Sequence, residues 1–264
     1  MRWAFAVVLL LTGCVGFHPL HPEWDKANQS GADDPVVNAS ARPGYRSTPE
    51  IPWQTIGYSH QGRPLRIRRI GNGPRRVIWV GGIHGNEREG TVSTAQLPMA
   101  LSRVAGALGQ VTLTILEDVN PDGTAANRRT NARGIDLNRN YPARNFLAGK
   151  NFGQRPLDQP EAKVLHDLVR AERPHLVIVA HSWRNDHFIN FDGPAVKHAE
   201  LFSEHSGYRV KPSDRIAPTP GSLGSWIGRK LGIPILTLEH QRGSDPLKCW
   251  LTTREAILAV ILSA

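Results

Sequence analysis

The sequence predicts an α/β fold in which a sheet lies between layers of helices, and three observations carry that reading. From Ile51 onward, apolar runs of strand length alternate with helical ones. Those strand runs are apolar almost throughout, the mark of strands buried on both faces. The chain has 264 residues, 40% hydrophobic and 21% charged, enough for a full core under an ordinary globular surface.

Eight segments follow in order. "RRVIWVGG" (75–82) reads as a strand and "EGTVSTAQLPMALSRVAG" (89–106) as a helix; "VTLTILEDV" (111–119) and "PEAKVLHDLVRAE" (160–172) repeat the pair. "HLVIVAHS" (175–182) and "IPILTLEH" (233–240) are further strands, each flanked by helical text at 222–232 and 252–264. No internal repeat is present.

The N-terminus has one positive residue, Arg2, then an apolar run from Trp3 to Leu11, too short to span a bilayer. Residues 1–13 therefore read as a secretion signal. "LTGC" ends at Cys14 and resembles a bacterial lipobox, which implies lipidation of Cys14, a periplasmic address and a membrane anchor. Val15 is not the Asp that marks inner-membrane retention, so the expectation is the outer membrane. Cys249 is then left alone and a disulfide framework is excluded. Residues 14–50, rich in Pro, Asp, Asn, Ser and Gly, read as a tether or extended arm, and 51–264 as the main domain.

A net charge of +9 and a pI near 10.1 favour acidic partners, whether nucleic acid, anionic lipid or an anionic polymer. The densest basic groups, "RPLRIRR" and "GPRRV", straddle a strand and a turn and accompany no nucleic-acid-binding motif. Nucleic acid is therefore disfavoured as a partner.

Polar residues at strand ends point to chemistry. His84 and Glu87 follow "RVIWV", His181 ends "HLVIVA" and Glu239 ends "IPILTL". In an open α/β sheet the ligand site lies beyond the carboxyl ends of the strands. Two imidazoles and a carboxylate suit zinc with a fourth position open to water. Glycines at 81, 82 and 85 let the chain turn sharply there. Taken singly, a His is more often structural or solvated than a ligand, and a Glu after a strand is more often a helix N-terminal residue.

The middle of the chain narrows the choice. "VNPDGTAANRRTNARGIDLNRNYP" (119–142) joins a turn to a dense cluster of Arg and Asn. With H-x-x-E at 84–87, "NPDG" at 120–123, "RTNARGIDLNRN" at 129–140, "HS" at 181–182 and "TLE" at 237–239, the sequence resembles the M14 zinc carboxypeptidases over residues 51–264. Among its branches, the short bacterial murein peptide amidases are most similar.

The resemblance implies a three-layer α/β/α doubly wound mixed sheet and one zinc per chain, held by His84, Glu87 and His181. It implies that Glu239 is the general base, that Arg129 stabilises the oxyanion, and that Asn138 and Arg139 hold a terminal carboxylate. Asp136 would orient a zinc-bound imidazole, that of His84. Pro220, Gly221, Ser222 and Gly224 would shape the side-chain pocket. One departure stands out: "SDRIAPTPGS" lacks the Tyr that digestive members carry ahead of this stretch. The expected reaction is hydrolysis of an amide beside a free carboxylate, specifically the γ-D-glutamyl–diaminopimelate bond of a murein peptide, with Arg215 as a receptor for the second diaminopimelate carboxylate. The competing readings are an N-acyl amino-acid deacylase and a non-catalytic wall-binding lipoprotein.

Overall fold

In the computed structural model, residues 51–213, 216 and 219–264 are described. The expectations for residues 1–13, for Cys14 and the 14–50 arm, and for Arg215 lie outside them. Eight strands form one sheet: β1 (Gln54–Tyr58), β2 (Pro64–Ile70), β3 (Arg75–Val80), β4 (Val111–Leu116), β5 (Leu176–Trp183), β6 (Phe188–Asp192), β7 (Arg209–Pro212) and β8 (Ile235–Gln241). Their spatial order is β1-β2-β4-β3-β5-β8-β6-β7. The four central strands β4, β3, β5 and β8 run parallel, while β1, β2 and β6 pair antiparallel to their inner neighbours.

The alternation of side chains along buried strands divides the core into two layers. From β3, Val77 and Trp79 face one side, where they pack with Leu97 and Leu101 of α1 (Thr91–Ser102). Two more helices cover that side, after the short α2 (Ala107–Gln110) and α3 (Pro121–Ala125) and the longer α4 (Pro160–Glu172). They are α5 (Val196–Ser206), through Ala199 and Phe202, and α6 (Pro246–Ser263), through Ile257 and Val260. Ile78 and Val80 face the other side, against Leu165 and Val169 of α4 (Pro160–Glu172) and Trp226 and Ile227 of a π-helical segment, Gly224–Lys230. The result is the three-layer mixed sheet that the sequence predicts.

The central strands and α4 coincide with the apolar runs, and the differences have local causes. In β2, buried Leu65 and Ile67 alternate with Arg66 and Arg68, and only Ile70 is buried toward the other layer, so no continuous apolar run results. β6, β7 and α5 are too short or too polar to stand out as runs. The last helix starts at Pro246, six residues ahead of the apolar text, because Asp245 caps it by accepting from Lys248 N at 2.9 Å. Among the described residues no helix is long and apolar enough to cross a membrane.

Candidate metal centre and active site

The chain leaves β3 through a turn that has no space for side chains at two positions. Gly82 has φ +62° and packs on Asp118; a Cβ on Gly85 would come within 2.0 Å of the Gly123 carbonyl carbon. This close packing sets His84 and Glu87 over the sheet edge, with Glu87 N donating to His84 O at 3.1 Å. His181 enters from β5, and in the parallel β5–β8 ladder its partner is Glu239. His84 and Glu87, which follow β3, therefore converge with His181 and Glu239 near the carboxyl ends of β5 and β8.

His84, Glu87 and His181 are buried, and one ligand atom from each lies within 4.8 Å of the others. His181 Nδ1 is 2.8 Å from Glu87 Oε2, and His84 Nδ1 is 3.0 Å from Glu87 Oε1. The His84 contact lacks hydrogen-bond geometry, so Nδ1 is a buried nitrogen with no hydrogen-bond partner. A buried imidazole lone pair aimed at a carboxylate and a second imidazole is the donor set of a zinc site with an open position. The residues fit the metal.

A ring of charged groups fixes this set. Asp136 Oδ1 meets His84 Nε2 at 3.0 Å, as expected, and the same carboxylate takes Arg129 Nε at 3.0 Å. Glu87 Oε1 also accepts from Arg129 at 3.0 Å and from Arg242 at 2.7 Å, while Oε2 accepts from Ser182 N at 3.1 Å. Burial would raise the Glu87 pKa, but His84 and His181 outweigh it and hold the carboxyl well below the ordinary range. Burial likewise opposes ionisation of Asp136, and His84 and Arg129 overcome it. Burial lowers the His181 pKa and keeps that imidazole neutral, the form that binds metal. Glu239 is pushed up to about 8, first by desolvation and then by the neighbouring charge of Glu87.

Beside the metal set lies a cavity of about 100 Å³, walled by Arg129, Asn138, Arg139 and Glu239. Asn138 reaches His181 Nε2 at 3.3 Å and is held by Leu223 N on its Oδ1 at 2.9 Å; Arg139 Nη1 donates to Asn138 O at 2.7 Å. Ser222 and Gly224, two of the four expected pocket residues, line it, whereas Pro220 and Gly221 do not. Gly221 instead packs on Arg139 O, where a Cβ would come within 2.3 Å.

The Arg- and Asn-rich stretch divides between structure and site. Asn120 accepts from Gly123 N at 3.0 Å and donates to Arg129 O at 3.2 Å, so the "NPDG" turn supports the backbone of Arg129. Asn131 Oδ1 caps Arg133 N and Ile135 N, and Asn140 Nδ2 ties together the loop at 152–158. Four further residues belong here that the sequence reading does not single out. Asn190 and Asp192 of β6 and Ser213 line the cavity, and Arg242 grips Glu87. Asp192 is held by Arg229 Nε at 2.7 Å and Ser213 Oγ at 2.5 Å. No local pattern marks them, because their place depends on β6 and β8 pairing.

Comparison with known proteins agrees with this geometry. Murein peptide amidase A of Escherichia coli strain K12 is 29% identical over 176 residues, covering 60% of this chain and 68% of the relative. Gamma-D-glutamyl-L-diamino acid endopeptidase 1 of Lysinibacillus sphaericus is 26% identical over 247 residues, covering 73% and 61%. The crystal structure of murein-tripeptide amidase from Escherichia coli O157 superposes with a TM-score of 0.67 at 25% identity, over 80% of this chain and 92% of that one. The pattern of the zinc carboxypeptidases matches residues 46–215, which hold the His84–Glu87–His181 site, and the chain belongs to that family of metallopeptidases.

Proposed function

We propose that the protein binds one zinc ion per chain and hydrolyses the amide between γ-D-glutamate and diaminopimelate in murein peptides. The observation that carries this reading is the cavity beside the metal set, lined by Asn138, Arg139 and the Glu239 carboxylate. His84, Glu87 and His181 hold the metal, which supplies a Lewis acid at the scissile carbonyl.

The side chains divide the remaining work. Glu239, which lines the cavity beside the metal set, takes the proton of the attacking water and passes it to the leaving amine. Arg129, fixed by Glu87 and Asp136, faces the charge that develops on the carbonyl oxygen. Arg139 and Asn138 receive the free carboxylate of the leaving residue. Asn190, Asp192, Ser213 and Ser222 place hydrogen-bonding groups in the pocket among apolar ones, and these can meet the ammonium and carboxylate at the end of a diaminopimelate side chain. The relatives named for murein peptides and for γ-D-glutamyl diamino acid bonds support the same substrate. Arg215 remains a proposed second carboxylate receptor.

Zinc-loaded enzyme is incubated with L-Ala-γ-D-Glu-diaminopimelate, its C-terminally amidated form and acetyl-aspartate, and the products are weighed by mass spectrometry. Release of diaminopimelate from the first alone is the expected result. Equal cleavage of the amidated form removes the Asn138–Arg139 clamp, and preference for acetyl-aspartate makes the protein a deacylase. Binding to wall peptides without cleavage of any makes it the non-catalytic lipoprotein. The compartment is proposed on Cys14 and "LTGC": a lipid-anchored protein facing the periplasm from the outer membrane. Cys14→Ala is expected to release it from membranes; unchanged fractionation would remove the anchor.

A further inference from the structure

We infer that Arg242 is the acyl-side carboxylate receptor of this site: it takes the free α-carboxylate of a γ-linked glutamyl residue and so selects γ-glutamyl amides over ordinary peptide bonds. The inference deepens the substrate reading above and rests on it.

Arg242 stands one residue beyond β8, and its backbone N–H donates to Trp183 O at 2.8 Å, which ties it to the end of β5 two residues past His181. Its Nη2 donates to Glu87 Oε1 at 2.7 Å. The guanidinium therefore lies one hydrogen bond from the metal set, already gripping a carboxylate.

Its side of the centre follows from the His181 ring. Asn138 meets Nε2 at 3.3 Å, and Glu87 meets Nδ1 at 2.8 Å. Asn138 and Arg139 thus lie off one edge of the imidazole, and Glu87 with Arg242 off the other. If the leaving diaminopimelate sits against Asn138 and Arg139, the acyl half of the substrate extends toward Glu87 and Arg242.

The donors of Arg242 are mostly uncommitted. Its bond to Glu87 is its one side-chain hydrogen bond among the described residues, and Nε is buried without a partner. Arg129, the other guanidinium on Glu87, is also pinned by Asp136. A buried donor left unpaired carries a desolvation cost that an incoming acceptor removes. A planar guanidinium with free N–H groups matches a carboxylate in two-point geometry. About a third of the side chain is open to solvent, so a ligand has access.

The substrate supplies that acceptor. An α-linked acyl residue brings no backbone carboxylate to this side, because its α-carbonyl is the scissile group. A γ-linked glutamyl residue keeps its α-carboxylate free, a few bonds from the scissile carbonyl.

The test compares L-Ala-γ-D-Glu-diaminopimelate with the analogue whose glutamyl α-carboxylate is amidated, using zinc-loaded wild type, Arg242→Gln and Arg242→Lys. Zinc content and calorimetric binding of the acyl product L-Ala-D-Glu are measured alongside. Wild type is expected to favour the acid form by about 100-fold in kcat/KM. Arg242→Gln should lower kcat/KM for the acid form at least tenfold more than for the amide and weaken L-Ala-D-Glu binding in parallel, with zinc retained. Arg242→Lys, which keeps the charge and loses the fork, should fall between. Equal loss on both substrates together with loss of zinc makes Arg242 a support for Glu87 alone and overturns the receptor. Equal cleavage of both forms by wild type overturns the receptor and leaves the substrate reading standing. Cleavage of neither form overturns both.

Discussion

Glu239 faces His181 across the parallel ladder of β5 and β8, strand partner to strand partner. His181 of the candidate metal set and a carboxylate outside that set are thus spaced by backbone hydrogen bonds and not by a loop. Replacing one side chain there leaves the other in place.

That independence makes Glu239→Gln informative on two readouts. As the base, its loss should lower turnover about 100-fold or more with zinc retained; activity within twofold of the parent would sink the role. The second readout is stability of the metal-free protein. Glu239 has a folded pKa of about 8 against an ordinary value of 4.5. Below pH 4.5 both folded and unfolded forms are protonated. As pH rises toward 8 the unfolded chain ionises first, so folding loses stability, by on the order of a few kcal/mol once pH exceeds 8. Metal-free Glu239→Gln should therefore melt above metal-free wild type at pH 9 and close to it at pH 5. Identical melting at both pH values contradicts the raised pKa.

Metal retention should grade with distance from the centre. His181→Ala removes one of three ligands and is expected to lose most of the bound zinc. Asp136→Asn leaves the ligands and weakens the bond to His84 Nε2, so zinc affinity should fall by about 10- to 100-fold. Chelator competition measures both. Full occupancy in His181→Ala would take that residue out of the site.

Gly85→Ala tests the turn that carries two ligands. The added methyl would meet the backbone of Gly123 and Thr124 within about 2.1 Å, with no flexible side chain to yield. The turn or α3 must move, at a cost of about 1–3 kcal/mol. Zinc affinity should drop with stability, since His84 and Glu87 flank the displaced residue. A variant that melts lower while binding zinc as before would show that α3 moves instead.

Asp122 holds the β1–β2 turn against α3 and touches no ligand. It is buried and accepts from Ser59 Oγ at 2.8 Å, Gln61 N at 2.9 Å and Arg63 Nη1 at 2.7 Å. Burial works against its charge, and these donors together hold its pKa below 3.8. Its contribution is therefore complete above pH 3.8 and disappears as pH falls through the lower folded value. Asp122→Asn should lose about 1–3 kcal/mol at pH 7, the half-exposed Arg63 adding little, and the gap to wild type should narrow in strong acid. A gap independent of pH would rule out the ionised form as the acceptor.

The parallel centre of the fold was legible because β3, β4, β5 and β8 are buried on both faces and so spell apolar runs. The convergence of His84, Glu87, His181 and Glu239 followed from the same fact, since each ends or follows such a run. Arg129, Asn138, Arg139 and Asp136 stood out only through the family resemblance; a loop rich in Arg and Asn does not reveal which of its side chains face a cavity and which, like Asn131 and Asn140, tie the loop to itself. Asn190, Asp192 and Arg242 left no trace. They enter the site because β8 inserts between β5 and β6, a pairing that no local window contains.

That insertion also bears on how the sheet can assemble. β8 is the last strand made, yet it lies in the interior of the sheet, with Val177–Trp183 on one edge and Phe188–Asp192 on the other. Until it arrives, β5 and β6 present unpaired edges with hydrophobic faces, the condition under which nascent chains aggregate or engage chaperones. The ladder it closes with β5 links residues far apart in sequence, so its formation is slow relative to local helix and hairpin steps. Glu239 and Arg242 arrive with that strand, so the carboxylate opposite His181 and the guanidinium on Glu87 take their places only when the sheet is complete.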